Sequence, residues 1–144
     1  MYRVREVDAS DEDIAETIHQ FNRREAKFPA LTVNELEGED CHWWLAYHGC
    51  EPVGFAGIVP SVYFARTGYL KRSFVCPAHR GNRLQLRFFR VRERKARQKG
   101  WSLIISETTE AHASANTFIR AGYRIYDPSK RWAFEHSIYW RKEL

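Results

Sequence analysis

Hydrophobic and polar residues follow two different periods along this 144-residue chain. Alternation with every second residue apolar, together with short apolar runs, predicts seven strands over residues 2–7, 43–47, 53–59, 69–75, 101–106, 123–126 and 133–140. Apolar positions at helical spacing predict four helices over residues 11–24, 32–36, 83–99 and 114–121. The turn at residues 48–52 joins the second and third strands as a hairpin.

The order of these elements predicts a single α/β (α+β) domain over residues 1–144, with a mixed central sheet of about six to seven strands flanked by about four helices. The sheet is mixed because an antiparallel hairpin sits beside a β-α-β unit, whose strands are parallel. A chain of 144 residues is long enough to form one domain with a hydrophobic core and too short to form two domains of ordinary size.

Composition narrows the class of protein. A hydrophobic content of 44% and a charged content of 28% are those of a soluble globular domain. No apolar run approaches the length of a membrane span and the N-terminus is no signal peptide, so we expect a cytoplasmic protein without a membrane partner. The three cysteines lack metal-ligand spacing, which predicts reduced thiols and no metal site. The net charge of +5 suits an anionic partner, which is a nucleic acid, an acidic protein or a phosphate-rich cofactor.

The segment over residues 75–85 carries the clearest chemistry. An apolar strand end leads through Pro77 and the turn His79-Arg80-Gly81 into a long basic helix. A tight turn followed by a helix N-terminus leaves several backbone N–H groups unpaired, and the helix dipole adds positive potential. The segment therefore predicts a cradle for a phosphorylated cofactor.

This segment, the run over residues 113–123 that ends at Gly122-Tyr123, and the order of elements along the whole chain resemble the GNAT superfamily of acetyl-CoA-dependent N-acetyltransferases. The resemblance implies that coenzyme A lies with its pyrophosphate at the helix N-terminus and its pantetheine arm along the end of the preceding strand. The cofactor-binding residues that it implies are Phe74, Val75, Cys76, Arg80, Gly81, Asn82, Arg83, Leu84, Gln85 and Asn116.

The chain departs from the family pattern at two places. Arg83 and Gln85 stand where the pattern has its second and third glycines. Phe118 stands where many members carry a tyrosine that returns a proton to the leaving thiolate. Ser114, Tyr126 or water would replace that tyrosine, unless no acid is needed. Glu107, at the end of the strand after the basic helix, is the candidate general base.

We therefore expect an N-acetyltransferase that moves acetyl to a primary amine, of a small molecule or of a protein, by direct attack in a ternary complex. The alternatives are a catalytically weak or inactive binding or regulatory protein of the same fold, and an enzyme for a nucleic-acid-associated substrate such as aminoacyl-tRNA. The basic helix suits nucleic acid, but we favour a solvated face whose first arginines serve the cofactor. The resemblance also implies a homodimer, because dimers are common in the family. The loop over residues 60–68, with Tyr63 and Phe64, is expected to line the acceptor site.

Overall fold

The structure is a computed structural model that describes residues 1–25 and 28–144. The strands are β1 (Tyr2–Val7), β2 (His42–His48), β3 (Glu51–Pro60), β4 (Thr67–Val75), β5 (Leu103–Thr108), β6 (Arg124–Tyr126) and β7 (Ile138–Glu143). The helices are α1 (Glu12–Arg23), α2 (Val33–Glu37), α3 (Leu84–Gln98) and α4 (His112–Arg120), with one 3₁₀ turn at Pro77–His79.

All seven strands form one sheet in the order β1-β2-β3-β4-β5-β7-β6. Neighbouring strands are antiparallel except β4 and β5, which are parallel and are joined by the crossover helix α3. Helices α1 and α2 cover one face of the sheet, and α3 and α4 cover the other. The predicted mixed sheet with four helices is confirmed. Within the described ranges, no helix has the length and apolar character that crossing a membrane requires.

Two clusters of buried side chains hold the helices to the sheet. On the α1 face, Phe21 stacks on Phe55 with ring centroids 6.1 Å apart and packs against Phe74 of β4. On the α3 face, Phe118 of α4 stacks on Trp140 of β7 at 5.3 Å, within the cluster that includes α3. The burial of such large rings supplies the main driving force for docking the helices.

A β-bulge interrupts β4 at Lys71. Gly57 of β3 pairs with Arg72 and Ile58 pairs with Leu70, so Lys71 has no partner in the register. The buried Arg92 of α3 donates from Nη1 to the Gly57 carbonyl at 3.3 Å, and its burial lowers the pKa of its guanidinium to about 10. The basic helix is thereby anchored to β3 at the residue that pairs beside the bulge of β4.

The last strand was predicted over residues 133–140, and those bounds are wrong, because β7 runs over Ile138–Glu143. Residues before it form a loop that is held by side-chain bonds: Arg131 donates to the Glu135 carbonyl at 3.1 Å, and Tyr139 accepts from the Ala133 amide at 2.9 Å. The apolar residues of this loop contribute to an aromatic cluster instead of a strand face, and hydrophobicity alone does not distinguish the two.

Candidate active site

A wedge opens between β4 and β5 in the middle of the sheet. The two strands pair only where Thr67–Tyr69 lie beside Leu103–Ile105. Beyond Tyr69, β4 continues to Val75 with β3 on one side and no strand on the other. Side-chain bonds span the start of the gap: the Ser106 hydroxyl donates to the Leu70 carbonyl at 3.2 Å, and the Tyr69 hydroxyl donates to the Glu107 carboxylate. The backbone of β4 is therefore open to a ligand that adds to its edge.

The end of β4 directs backbone groups into this wedge. The Cys76 amide donates to the Val53 carbonyl of β3 at 2.8 Å. Since backbone groups of successive strand residues point in opposite directions, the amide and carbonyl of Val75 face the wedge. The carbonyl accepts from Arg80 Nε at 3.0 Å, which brings the Arg80 side chain back over the strand end. An extended ligand with amide groups can pair with this edge.

The predicted cradle lies in the turn between β4 and α3. Gly81 and Arg83 both have positive φ angles, of 83° and 61°, and a Cβ atom at Gly81 would meet nothing within 4 Å. The first backbone bond of α3 runs from the Arg87 amide to the Arg83 carbonyl at 3.1 Å. No described residue accepts a hydrogen bond from the amides of residues 81–86. Unpaired amides at an open helix N-terminus are suited to bind phosphate.

The side chains around the cradle lie outside its open space. Gln85 accepts a hydrogen bond from the Ser73 hydroxyl, so its side chain turns back onto β4. Leu84 is buried in the core beneath α3. Asn82 donates from Nδ2 to the Tyr2 hydroxyl at 3.1 Å and to the His79 carbonyl at 3.0 Å, which fixes the turn to β1. The two residues that replace glycines of the family pattern therefore leave the amides accessible, because Gln85 points away and Arg83 is exposed.

Glu107 of β5 lies at the point where the wedge opens, on the α1 face. The Tyr69 hydroxyl donates to both of its carboxylate oxygens, at 2.7 Å for Oε2. Trp132 donates from its ring N–H to Oε1 at 2.8 Å. Burial of the Tyr69 hydroxyl, reinforced by the negative charge of Glu107, raises the pKa of Tyr69 above its usual value. Tyr69 therefore stays a hydrogen-bond donor and holds the carboxylate in one orientation.

Aromatic side chains surround this carboxylate. Tyr63, from the loop between β3 and β4, stacks on Trp132 with ring centroids 4.9 Å apart. Trp132 meets Tyr139 of β7 edge-on at 4.7 Å. The loop over residues 60–68 was expected to line the acceptor site, and Tyr63 does lie beside Glu107's neighbours. Trp132 was not among the predicted site residues, because a tryptophan in a loop has no periodic pattern that would indicate its partner.

The structure places the remaining predicted residues on α4 and β6. Ser114 and Asn116 are exposed on α4, and neither has a side-chain hydrogen bond to any described residue. Phe118 is buried between Phe89 and Trp140 and belongs to the core. The Tyr126 hydroxyl is buried with no partner among the described residues, and burial raises its pKa.

Part of the basic character of α3 is neutralised within the fold. Lys95 pairs with Glu6 at 3.0 Å, and Lys99 pairs with Asp40 at 3.0 Å. All three cysteines are free thiols. Over residues 1–25 and 28–144, no group of histidine, cysteine, aspartate and glutamate side chains is arranged to hold a metal ion.

The model of the Acetyltransferase (GNAT) family matches residues 4–123. The chain belongs to the GNAT acetyltransferase family. Proteins of this family generally use acetyl-CoA, and the open amides of the cradle and the free edge of β4 fit that ligand. None of the curated proteins matches the chain in sequence.

Solved structures share the GNAT fold over the whole chain. A Klebsiella pneumoniae protein assigned as an acyl-CoA N-acyltransferase aligns with a TM-score of 0.81 at 24% identity, over 100% of this chain and 98% of that one. A GNAT acetyltransferase of Staphylococcus aureus aligns at 0.78 and 16% identity, over 100% and 99%. The ribosomal-protein-S18-alanine N-acetyltransferase of Escherichia coli aligns at 0.76 and 12%, over 99% and 94%. At these identities the likeness establishes the fold.

Proposed function

We propose that this GNAT protein is an acetyl-CoA-dependent N-acetyltransferase that acts on a primary amine by direct attack in a ternary complex. The observation that carries the proposal is the wedge between β4 and β5, which has the amide cradle of Gly81 near the far end of β4 and the Glu107 carboxylate where it opens. A binding protein needs the cradle but has no need of an oriented carboxylate at the other end of the same wedge.

The cofactor would be held by backbone groups. The amides of residues 81–86 would bind the pyrophosphate, and the wedge edge at Val75, between Phe74 and Cys76, would pair with the pantetheine amides. Arg80 would place a positive charge beside this path. Bound acetyl-CoA supplies a thioester: the amine nitrogen bonds to its acetyl carbon, the carbon–sulfur bond breaks, and the amine's proton passes to solvent or to the thiolate.

Glu107 would attract the acceptor as an ammonium ion and take its proton, which frees the nitrogen lone pair for attack. Tyr69 and Trp132 would keep the carboxylate oriented by donating to it from opposite sides of the wedge opening. Since Phe118 lies in the core, Ser114 stays our predicted proton donor to the sulfur, from the exposed surface of α4.

Two measurements test the proposal. Isothermal calorimetry should show saturable binding of acetyl-CoA, and a thermal-shift assay should show a higher melting temperature with the ligand. Mass spectrometry should then detect an acetylated product after incubation with cell extract and isotope-labelled acetyl-CoA. No heat and no thermal shift at millimolar acetyl-CoA would refute the enzyme, whereas binding without any acetylated product would favour the regulatory alternative.

A further inference from the structure

The guanidinium of Arg72 has hydrogen-bond donors that no described residue accepts. Its Nη1 donates to the Lys71 carbonyl at 2.8 Å, and its carbon lies 4.5 Å from the centre of the Phe28 ring. Its Nε is buried, and neither Nε nor Nη2 has a hydrogen-bond partner among the described residues. A buried charged donor without an acceptor is costly, so native structures usually give it one. A ligand oxygen would complete this site.

Arg72 shares the α1 face of the sheet with the proposed catalytic carboxylate. Because Lys71 is the extra residue of the bulge, the side chains of Tyr69 and Arg72 emerge on the same face of β4. The Tyr69 hydroxyl bonds to Glu107, and the charge of Arg72 is near enough to oppose part of the rise in the Tyr69 pKa. Arg72 and Glu107 therefore lie on the same face of the sheet, in the neighbourhood of one hydroxyl.

Other cations of this region have protein acceptors, whereas Nε of Arg72 has none among the described residues. Arg24 and Arg80, which lie over the Phe74 ring, form no ion pair but donate to Cys76 Sγ and to the Val75 carbonyl. Lys71 forms an ion pair with Glu35 of α2. Arg131 pairs with Asp127 at 3.4 Å. No described carboxylate forms an ion pair with Arg72, and the carboxylate of Glu107 is held by neutral donors. The α1 face thus presents a carboxylate that is held by neutral donors and an arginine whose buried Nε has no acceptor among the described residues, a combination that is complementary to a zwitterion.

We propose that the acceptor is an amine that carries its own carboxylate, as an α-amino acid does. The carboxylate would pair side-on with the Nε–Nη2 edge of Arg72, the planar edge that binds carboxylates through two parallel hydrogen bonds. The amine would face Glu107, and the rings of Phe28 and Tyr63 would contact the remainder of the molecule. This inference rests on the proposed function, since it assigns the acceptor of that same site.

Matched pairs of acceptors test the inference directly. The free acids L-phenylalanine, L-methionine and L-leucine are compared with their α-amides, which keep the amine and the side chain and lose only the negative charge. Release of CoA thiol gives kcat/KM for each. In water the amide is the better nucleophile, because its amine gives up its proton more readily. A preference for the free acid, roughly tenfold or more, would therefore come from the protein.

Variants at Arg72 assign that preference to one side chain. In Arg72→Met the kcat/KM for free acids should fall roughly 10- to 100-fold while that for amides stays within about threefold, and Arg72→Lys should recover part of the loss. Arg23→Met, which removes an exposed arginine of α1, should change neither class. Melting temperatures of all variants separate a loss of recognition from a loss of folding, because only recognition distinguishes acids from amides.

The results of these experiments distinguish a failure of the zwitterion inference from a failure of the proposed acetyltransferase function. Equal or better use of the amides, or an equal loss for both classes in Arg72→Met, would overturn the zwitterion inference and leave the acetyltransferase standing. Binding of acetyl-CoA without acetylation of any free acid would also overturn it. Failure to bind acetyl-CoA in the calorimeter would instead reject the proposed function itself.

Discussion

The hydroxyl of Tyr69 donates to both carboxylate oxygens of Glu107, 2.7 Å from Oε2, at the point where β4 and β5 stop pairing. Tyr69 is the last residue of β4 that pairs with β5. Its hydroxyl thus holds the side chain of Glu107 at the opening of the wedge. A carboxylate that accepts hydrogen bonds from two neutral donors is held in one orientation, as the proposed attack by an amine would require.

Removal of the Tyr69 hydroxyl should therefore impair catalysis. In Tyr69→Phe we expect kcat/KM to fall roughly 10- to 100-fold, because Glu107 is no longer oriented. Stability should also fall, by about 2 kcal/mol, since a buried bond to a charged group is lost. Tyr63→Phe is the matched control, because Tyr63 keeps its ring stacking on Trp132 without its hydroxyl. Full activity in a destabilised Tyr69→Phe protein would show that the hydrogen bond between Tyr69 and Glu107 contributes to stability and not to catalysis.

A bulky side chain in the cradle should block the cofactor. Gly81→Trp is expected to weaken acetyl-CoA binding roughly tenfold or more in calorimetry, because the ring would occupy the space above the open amides. Gly49→Trp is a close control: Gly49 also has a positive φ, of 63°, and open space around it, but lies in the β2–β3 turn. Both variants should lose about 1 kcal/mol of stability from backbone strain. Unchanged affinity in Gly81→Trp would show that the pyrophosphate lies elsewhere.

Gln85 should contribute to stability more than to cofactor affinity. Its side chain accepts from Ser73 and points away from the cradle. Gln85→Ala and Ser73→Ala should each cost about 1 kcal/mol, and the double variant should cost less than their sum, because both remove the same bond. Acetyl-CoA affinity should stay within about threefold in all three. A large affinity loss confined to Gln85→Ala would instead place the amide on the cofactor.

The ion pair between Lys71 and Glu35 should make stability depend on pH. Burial acts to raise the pKa of Glu35, but the hydrogen bond from Lys71 and the Thr32 amide outweigh it, so the pKa lies below its usual 4.5. A depressed folded-state pKa stabilises the protein above the unfolded value, and this contribution is lost as the pH falls through the folded value.

Urea unfolding of Glu35→Gln should accordingly show a loss of about 1 kcal/mol at pH 7 that shrinks towards zero near pH 3. Glu16→Gln is the control, since Glu16 forms an exposed pair with Arg23 and should matter little at either pH. A loss of the same size at both pH values would show that the charge of Glu35 contributes nothing.

Individual elements show which parts of the structure the sequence patterns predicted correctly. The alternation over residues 53–59 and 69–75 predicted β3 and β4, because a strand with one buried face must alternate. The strand predicted over residues 133–140 began too early. The residues before Ile138 form a loop, and Trp132 in that loop donates a hydrogen bond to Glu107. The departure from the glycine pattern at Gln85 did not indicate where its side chain goes, and only the position of Ser73 on β4 showed that it bonds to the strand.

The sequence by itself determined the order of strands and helices, the cradle at Arg80-Gly81 and the family, because each depends on residues close together in the chain. The partners of Glu107 were decided by tertiary structure alone: Tyr69 and Trp132 are 38 and 25 residues away from it along the chain. The same holds for Arg72, which the bulge of β4 places on the α1 face and whose guanidinium lies over the ring of Phe28. A period along the chain encodes which face a residue occupies, but the meeting of distant side chains depends on the register of strands and the packing of helices on them.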